Sequence, residues 1–407
     1  MATAVLRLPS FTEHVKSMKK AKVAEARRIE LFIYQASTHC QNVIQGITHY
    51  ARPAKNWIIG IQYPEIRPLR KALASRPDGI IAQVINEKLH QFLEASGLPY
   101  IDVTDTIQDD SIKRICVDHR AIGKMAAEYF IENRYREFGF VGEQGQYFSM
   151  LRETGYAQTL REKGYNCYIL RRNLLQIFQP SLVIAETDNR LAKWLKSLPL
   201  PIGLFSATDS RAVKVLEMCR KLGLKVPAEI AVLGVDNDAL LCNLEYPPLS
   251  SIALPSHEIG YQAARLLDAL LAGETVKRSR ILLPPQRVVV RQSSDIMAVN
   301  DKLVAEALSF IRAHAGDPIT VKDVCGHTLV SRRLLEMRFK QELGWTPLEE
   351  IRRARIARAK QLLADTDSPM SEIAENSGFQ SSARFSVVFR QYTGFTPIAY
   401  RGKSRNH

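Results

Sequence analysis

The period of the apolar positions changes twice along the chain. From Ile29 to about Gln292, short apolar runs of strand length alternate with stretches whose apolar residues recur at helical spacing. "IELFIY" predicts a strand and "HCQNVIQGITHYAR" a helix, and "WIIGIQY", "PLRKALA" and "DGIIAQVI" repeat strand, helix and strand. "KLHQFLEASG", "LPYIDV", "RICVD", "HRAIGKMAAEYFIENR" and "EFGFVGE" carry the alternation on. It resumes after Arg152 with "RETGYAQTLREKGY", a strand at "SLVIAE", then "NRLAKWLKSL", "PIGLFSAT", "SRAVKVLEMCRKLG" and "IAVLGVD". This alternation implies parallel sheets covered on both faces. Two such stretches side by side predict two doubly wound lobes, with a ligand crevice beyond the carboxyl ends of their strands.

The strand pattern ends in the polar stretch "RQSSDIMAVN", where a domain junction is expected. From Asp301 onward the pattern is helical with Gly and Pro punctuation. Residues 1–28 hold few apolar residues in any period and read as a mobile or partly helical tail. The expected organisation is therefore a basic tail at 1–27, a two-lobed α/β domain at 28–292, a linker at 293–300 and an all-α domain at 301–405.

Within the all-α part, Ile319 to Gly344 and Ile373 to Gly394 share one plan. Each has a short helix, a tight turn, and a second helix that opens on Ser and closes on Gly. Ser331 and Ser381 or Ser382 suit the N-cap, and Gly344 and Gly394 suit the left-handed helix end. Each unit is followed by Thr-Pro, which starts another helix with Pro at its first position. Two helix-turn-helix units joined by a long helix, Pro347 to Ala364, is the simplest plan. In the later second helix Phe385, Val388, Phe389 and Tyr392 form one apolar stripe, while in the earlier one Leu335 and Phe339 face inward. The opposite faces are small, polar or basic, which suits a major groove about 12 Å wide.

Charge supports that reading of the C-terminal part. The net charge of +14 is uneven: residues 1–28 carry seven Lys and Arg against two Glu, and residues 299–407 carry seventeen against twelve acids. A near-neutral body between two basic ends suggests a polyanion partner at the ends. Six widely spaced cysteines without a CxxC pair read as reduced thiols, with no metal site and no disulfide framework. No apolar run reaches the length of a membrane span and no secretory signal pattern follows the N-terminus, so a cytoplasmic protein without a membrane partner is expected. The phosphate-binding GxGxxG and GxxxxGK[ST] patterns are absent and no catalytic Ser/His/Asp or Cys/His set stands out. An enzyme is therefore not expected, and neither catalytic residues nor a cofactor are assigned.

"IAENSGFQSSARFSVVFRQYTGFTPIAYR" resembles the C-terminal signature of the AraC/XylS family of transcription regulators. The match lies in the Ala-Gly-Phe frame, the Phe-x-x-x-Phe-Arg helix and the closing Gly-x-Thr-Pro-x-x-Tyr-Arg. The resemblance implies two recognition helices entering successive major-groove segments of double-stranded promoter DNA. By position the base-reading candidates are Arg332, Arg333, Glu336 and Met337 in the first unit, and Ser382, Ala383, Arg384 and Val387 in the second. Arg333 or Arg384 suits a guanine edge, and Val387 or Ala383 a thymine methyl. Lys340, Arg390, Arg352 and Arg353 suit phosphates. The first unit departs from the family pattern, because "CGHTLVSRR" stands where an alanine and a glycine usually shape the turn.

The middle of the chain is similar to the LacI/GalR regulatory core, itself similar to periplasmic sugar-binding proteins. "GLFSATDSRAVKVLEMCRKLGLKVPAEIAVLGVDNDALL", "CVDHRAIGKMAAEYF" and "SMLRETGYAQTLREKG" carry the likeness. It implies a periplasmic-binding-protein-like sensor with Arg152, Asp209 and Asp236 as sugar-binding candidates, since carboxylates and an Arg pair well with hydroxyls. Asp209 also suits a helix N-cap, and Asp236 a turn. Gln35 and His39 follow the first strand and are further candidates. A sensor of this kind ahead of an AraC-type reader resembles the xylose operon regulators. That likeness implies a homodimer that takes D-xylose in the crevice, contacts RNA polymerase and activates pentose catabolic promoters; the residues themselves specify only a polyhydroxy ligand, and leave open another sugar or polyol and repression instead of activation.

Overall fold

The computed structural model describes residues 26–52, 56–173, 184–275, 280–295, 299 and 301–405. The expected basic tail falls almost wholly outside these residues, as do 296–298 and 300 of the expected linker. Strands β1 (Arg27–Phe32), β2 (Trp57–Gln62), β3 (Gly79–Ala82), β4 (Tyr100–Asp102), β5 (Arg114–Val117) and β11 (Arg280–Leu283) form one parallel sheet in the order β11-β5-β4-β3-β1-β2. Ile80 and Ile81 are neighbours in β3 and point to opposite faces, yet both are fully buried. The sheet is thus covered on both sides, as its uninterrupted apolar runs require.

The second sheet is built from β6 (Glu137–Gln144), β7 (Tyr168–Asn173), β8 (Ile202–Ser206), β9 (Ile230–Val235), β10 (Ser250–Ala253) and β12 (Arg287–Val289), in the order β12-β10-β9-β8-β6-β7. Only β12 among these runs antiparallel to its neighbour. The expected strand at "SLVIAE" is corrected: its described residues, 184–186, begin helix α6 (Ile184–Ser197), and residues 181–183 lie outside the description. The buried Leu191, Leu195 and Leu198 continue a helical period there, and a short apolar run alone does not separate strand from helix. The edge strand is β7 instead.

The chain passes between the lobes three times, after β5, β10 and β11. Each lobe is therefore covered by a helix whose preceding strand belongs to the other. Helix α4 (His119–Glu132) follows β5 of the first sheet but lays Phe130 against Gly203 of β8. Helix α9 (Ser256–Leu271) follows β10 of the second sheet but lays Leu267 against Gly79 of β3. Each of these crossover helices meets a partner at paired glycines. Gly123 of α4 faces Gly155 of α5 (Tyr147–Glu162), and Gly260 of α9 faces the Gly46 turn of α1 (Thr38–Ala51). A β-carbon at any of the four would overlap backbone of the facing helix: at Gly123 the carbonyl of Arg152, at Gly46 that of His257.

The C-terminal part contains α10 (Lys302–Ala313), α11 (Val321–Thr328), α12 (Arg332–Glu342), α13 (Pro347–Asp365), α14 (Met370–Asn376), α15 (Ser382–Thr393) and α16 (Pro397–Arg405). Two small cores form, one around Leu335 and Phe339, the other around Phe385 and Phe389. Helix α13 serves both, giving Ile351 and Ala354 to the first and Ile356, Ala359 and Leu363 to the second. Ser331 and Ser381 cap α12 and α15, accepting from the backbone amides of Leu334 and Arg384. The departure noted in the first turn is absorbed by Leu329, which takes the left-handed conformation at φ 55°, whereas Gly378 does so in the second unit.

The two parts of the molecule are joined through a polar ring. Arg312 of α10 donates to Asp295 at 2.6 Å and to Glu350 of α13 at 3.0 Å, and the Trp345 indole donates to Glu350 at 2.9 Å. Tyr129 of α4 meets the Ser294 hydroxyl at 2.8 Å.

The paired glycines predict a sharp contrast on substitution. Gly46→Ala should lower unfolding free energy by about 3 kcal/mol, at the upper end of the overpacking range, because only rigid backbone stands in the way. Gly326→Ala, where nothing lies within 4 Å, should be neutral or slightly stabilising. Urea denaturation of both variants checks this.

Candidate ligand crevice and DNA-facing helices

A cavity of about 210 Å³ lies between the lobes, and most of its lining comes from residues just past strand carboxyl ends. Tyr34 follows β1, Gln83 follows β3, Asp105 follows β4, His119 follows β5, Thr208 follows β8 and Asp236 follows β9. This is where a doubly wound fold collects side chains without disturbing its sheets. His39 from the start of α1 and Phe148 and Arg152 from α5 complete the polar wall.

Arg152 is buried at 3 % exposure. Its Nε donates to Nδ1 of His119 at 3.2 Å, one Nη donates to the carbonyl of Ala207, and the guanidinium lies 5.1 Å from the Phe148 ring centre. Arginine only donates, so Nδ1 of His119 must be the accepting nitrogen and its Nε2 carries the hydrogen. Burial first, then the charges of Arg152 and Arg280, hold His119 far below the usual imidazole range. His39 is pushed down to about 4 by burial and by Arg152, and its Nδ1 lies 2.7 Å from the Ser256 hydroxyl. Both imidazoles are therefore neutral at physiological pH.

Asp236 lines the cavity with a strained backbone. It sits at φ 110° and Asn237 at φ 49°, conformations that cost of order 1–3 kcal/mol each and cluster at functional sites. No hydrogen bond to its carboxylate is found among the described residues. Burial holds the Asp236 carboxyl well above the usual carboxylate range; Arg152 opposes that shift, while Asp209, Glu143 and Asp238 add to it. The floor on the opposite lobe is a closed ionic network. Arg114, 1 % exposed, bridges Asp102 and Asp105 at 2.7 Å each, and Asp105 also takes Arg280. Asp105, Cys116 and His119 bring their ligand atoms within 4.8 Å of one another. Asp105 is already committed to two guanidinium groups, and burial raises the Cys116 thiol, so this donor set suits a neutral polar ligand and not a cation.

Of the ligand candidates drawn from sequence, Arg152, Asp236 and His39 meet in the cavity. Two do not. Asp209 is 1 % exposed and sits behind the wall: one oxygen accepts from the Ser251 hydroxyl at 2.6 Å, the other from the Asp238 amide at 2.8 Å and the Cys242 thiol at 3.4 Å. Nor is it the helix cap, since Thr208 fills that position. Gln35 is exposed and lies outside the lining; the glutamine in the crevice is Gln83, whose carbonyl accepts from the Tyr34 amide at 2.8 Å. Gln83, Asp105 and His119 were each marked by their place directly after a strand, a signal applied above only to other strands.

The lobes touch at both edges of the crevice. The Thr38 amide donates to Asp238 across the gap at 2.8 Å, and the Tyr147 amide to the Thr106 carbonyl at 3.1 Å. These contacts bridge the two lobes beside the space lined by Arg152 and Asp236.

On the helical part, the candidate DNA-facing side chains share the outer surface of the second helices. Arg332, Arg333, Met337 and Lys340 are exposed on α12, and Ala383, Arg384, Val387 and Arg390 on α15; Glu336 and Ser382 are half-buried. Val387 is 69 % exposed, unusual for a valine with no packing partner to protect. Arg332 pairs with Glu336 at 2.8 Å, so these two shield one another in the free protein. Arg353 lies 4.1 Å over the Trp345 ring, which ties it to the polar ring described above.

Comparison with known proteins agrees with this division. Residues 127–294 match a periplasmic binding protein-like domain, and residues 324–403 match a helix-turn-helix domain. The xylose operon regulatory protein of Haemophilus influenzae is 32 % identical over 382 residues, covering 92 % of this chain and 98 % of that protein. The protein of the same name from Escherichia coli K12 is 31 % identical, covering 92 % and 96 %. A solved structure described as the xylose-binding transcription activator xylR superposes with a TM-score of 0.70 at 30 % identity, covering 94 % of this chain and 99 % of that one. Coverage this complete spans both the crevice and the helix-turn-helix pair, so the chain belongs to the xylose operon regulatory protein family of DNA-binding transcription regulators.

Proposed function

We propose that the protein is a pentose-sensing transcription activator. Residues 28–292 close on D-xylose, and residues 301–405 carry two DNA-reading units whose outer faces present Arg333, Arg384 and Val387 to base edges. The observation that carries this reading is the buried Arg152 beside an Asp236 carboxylate that accepts no hydrogen bond from the described residues. A compact polyhydroxy ligand supplies hydroxyl donors to Asp236 and acceptors to Arg152 without adding net charge to the crevice. The neutral His39 and His119 and the Gln83 amide add further donors and acceptors, and the Phe148 ring offers an apolar face. The cavity lies below the roughly 300–1,000 Å³ of drug-sized pockets, which suits a ligand the size of one pentose.

In this reading the protein works in the cytoplasm as a homodimer on double-stranded promoter DNA and recruits RNA polymerase to pentose catabolic genes. Lys340 and Arg390 contact phosphates. Arg352 is half-buried and supports the same role, whereas Arg353, engaged by Trp345, acts mainly within the protein.

Calorimetric titration with a panel of pentoses and hexoses tests the effector, with D-xylose expected to bind tightest; a panel that binds nothing removes the reading. Asp236→Asn should abolish D-xylose binding while leaving stability unchanged or raised, because it removes a desolvated carboxylate that accepts no hydrogen bond from the described residues. Asp209→Ala should cost about 1–3 kcal/mol of stability by orphaning its donors, with a smaller loss in sugar affinity. Proton linkage has a definite sign. Hydroxyl donors favour the charged form of Asp236 and lower its raised pKa, so binding should release protons near neutral pH, read from heats in buffers of different ionisation enthalpy.

For the DNA units, log affinity should fall with log salt by about 0.9 per phosphate neutralised. Arg384→Ala should cost roughly 1–3 kcal/mol at one base position and relax preference there, measured on a randomised site library. An equal loss on every sequence assigns Arg384 to phosphate.

A further inference from the structure

Helix α4 runs from the crevice to the first DNA-reading unit. Its first residue, His119, accepts from Arg152. Just beyond its last turn, Arg134 donates through both Nη atoms to the carbonyls of Glu342 at 2.7 Å and Leu343 at 2.9 Å, the carboxyl end of α12. Helix α12 is the one that presents Arg332 and Arg333. Its terminal carbonyls have no partner inside the helix, and a guanidinium is a suitable cap for them. The same guanidinium lies 5.2 Å from the Trp345 ring centre.

The backbone at Arg134 carries an independent sign of constraint. The Arg134 amide bonds to Ile131 and the Tyr135 amide to Phe130, the pairing that closes a helix with a left-handed residue, normally glycine. Arg134 sits there at φ 65°. An arginine in a glycine conformation is strained, and such strain persists where a side chain is needed in that direction.

We infer that Arg134 is a positioning residue that couples the crevice to the first DNA-reading helix: it fixes α12 to the end of α4, whose beginning forms part of the ligand wall. The packing of α4 on α5 at Gly123 and Gly155 makes the helix pair that bears His119 and Arg152 one rigid unit. A change in ligand occupancy that moves Arg152 therefore moves Arg134 and, with it, the orientation of α12. The second unit, centred on α15, receives no such contact from Arg134, so the coupling acts on the first unit. The inference deepens the proposed function and rests on it for the identity of the ligand.

Arg134→Gly tests it cleanly, because glycine suits the left-handed position and the variant is expected to fold at least as well as the parent. Thermal unfolding and D-xylose titration should be unchanged. In the parent, D-xylose should alter promoter affinity by about 5- to 150-fold, the usual range of coupling between sites, and in Arg134→Gly by about twofold or less. Arg134→Lys, which keeps charge but loses the two-pronged donation, should fall between them. Independently of any sugar, hydrogen exchange at the amides of residues 342–345 should quicken in ligand-free Arg134→Gly. An unchanged D-xylose effect on promoter affinity in Arg134→Gly overturns the coupling, as does unchanged exchange. If D-xylose fails to bind the parent, the effector assignment fails, and the exchange measurement alone decides the role of Arg134.

Discussion

Arg152 places a full positive charge in the crevice with almost none of its own surface exposed, and the arrangement around it follows from that charge. A buried guanidinium is tolerated only where acceptors and counter-charge surround it. The Ala207 carbonyl and Nδ1 of His119 supply two acceptors, and the carboxyl groups of Asp236, Glu143, Asp209 and Asp105 share the counter-charge. Burial, reinforced by the same charge, keeps His39 and His119 neutral. On the far side, Asp105 and Asp102 are tied to Arg114 and Arg280, so the opposite lobe presents a balanced floor that neither attracts nor repels a neutral ligand. The strained turn at Asp236 and Asn237 belongs to the same design. It aims one carboxylate into the cavity while Asp209, directly behind, holds the turn by accepting from Ser251 and the Asp238 amide.

Two lobes built by three crossings make this crevice responsive. Because α4 and α9 each cover the sheet opposite to the strand they follow, the lobes cannot separate without moving helices that belong to both. The glycine pairs bring these helices into backbone contact, where small shifts are transmitted instead of absorbed by side chains. Helix α4 ends against α12 and beside Ser294, so motion in the crevice reaches the helical part through packed elements. The polar ring of Arg312, Glu350, Trp345 and Asp295 then sets the position of α13, the helix on which both small cores depend.

Much of this was legible in the sequence. The alternation of apolar runs announced two sheets that are parallel but for β12, and the wheel of "SSARFSVVFRQY" separated the buried Phe385 and Phe389 from the exposed Arg384 and Val387. The local rule failed where two elements share one local pattern. "SLVIAE" reads equally as strand or helix start, and only the neighbouring β7 decides it. In the crevice, Arg152, Asp209 and Asp236 were named through the family resemblance and His39 by its place after the first strand; that Asp236 lines the cavity while Asp209 stands behind it is set by the fold and not by any local pattern. Gln83, Asp105 and His119 follow β3, β4 and β5, and they meet because these strands are neighbours in one sheet, an order that no local pattern states. Arg134 was invisible in sequence, since its significance lies in a left-handed backbone and a contact more than two hundred residues away.

Coupling between the crevice and the DNA surface is measurable from the sugar side by linkage. Any factor by which D-xylose changes promoter affinity must equally change D-xylose affinity when promoter DNA is bound. The decisive measurement is therefore the D-xylose dissociation constant of the full chain, taken free and saturated with promoter DNA. Coupling requires tighter D-xylose binding on DNA, by the same factor that D-xylose strengthens promoter binding. Identical dissociation constants in the two states would contradict it.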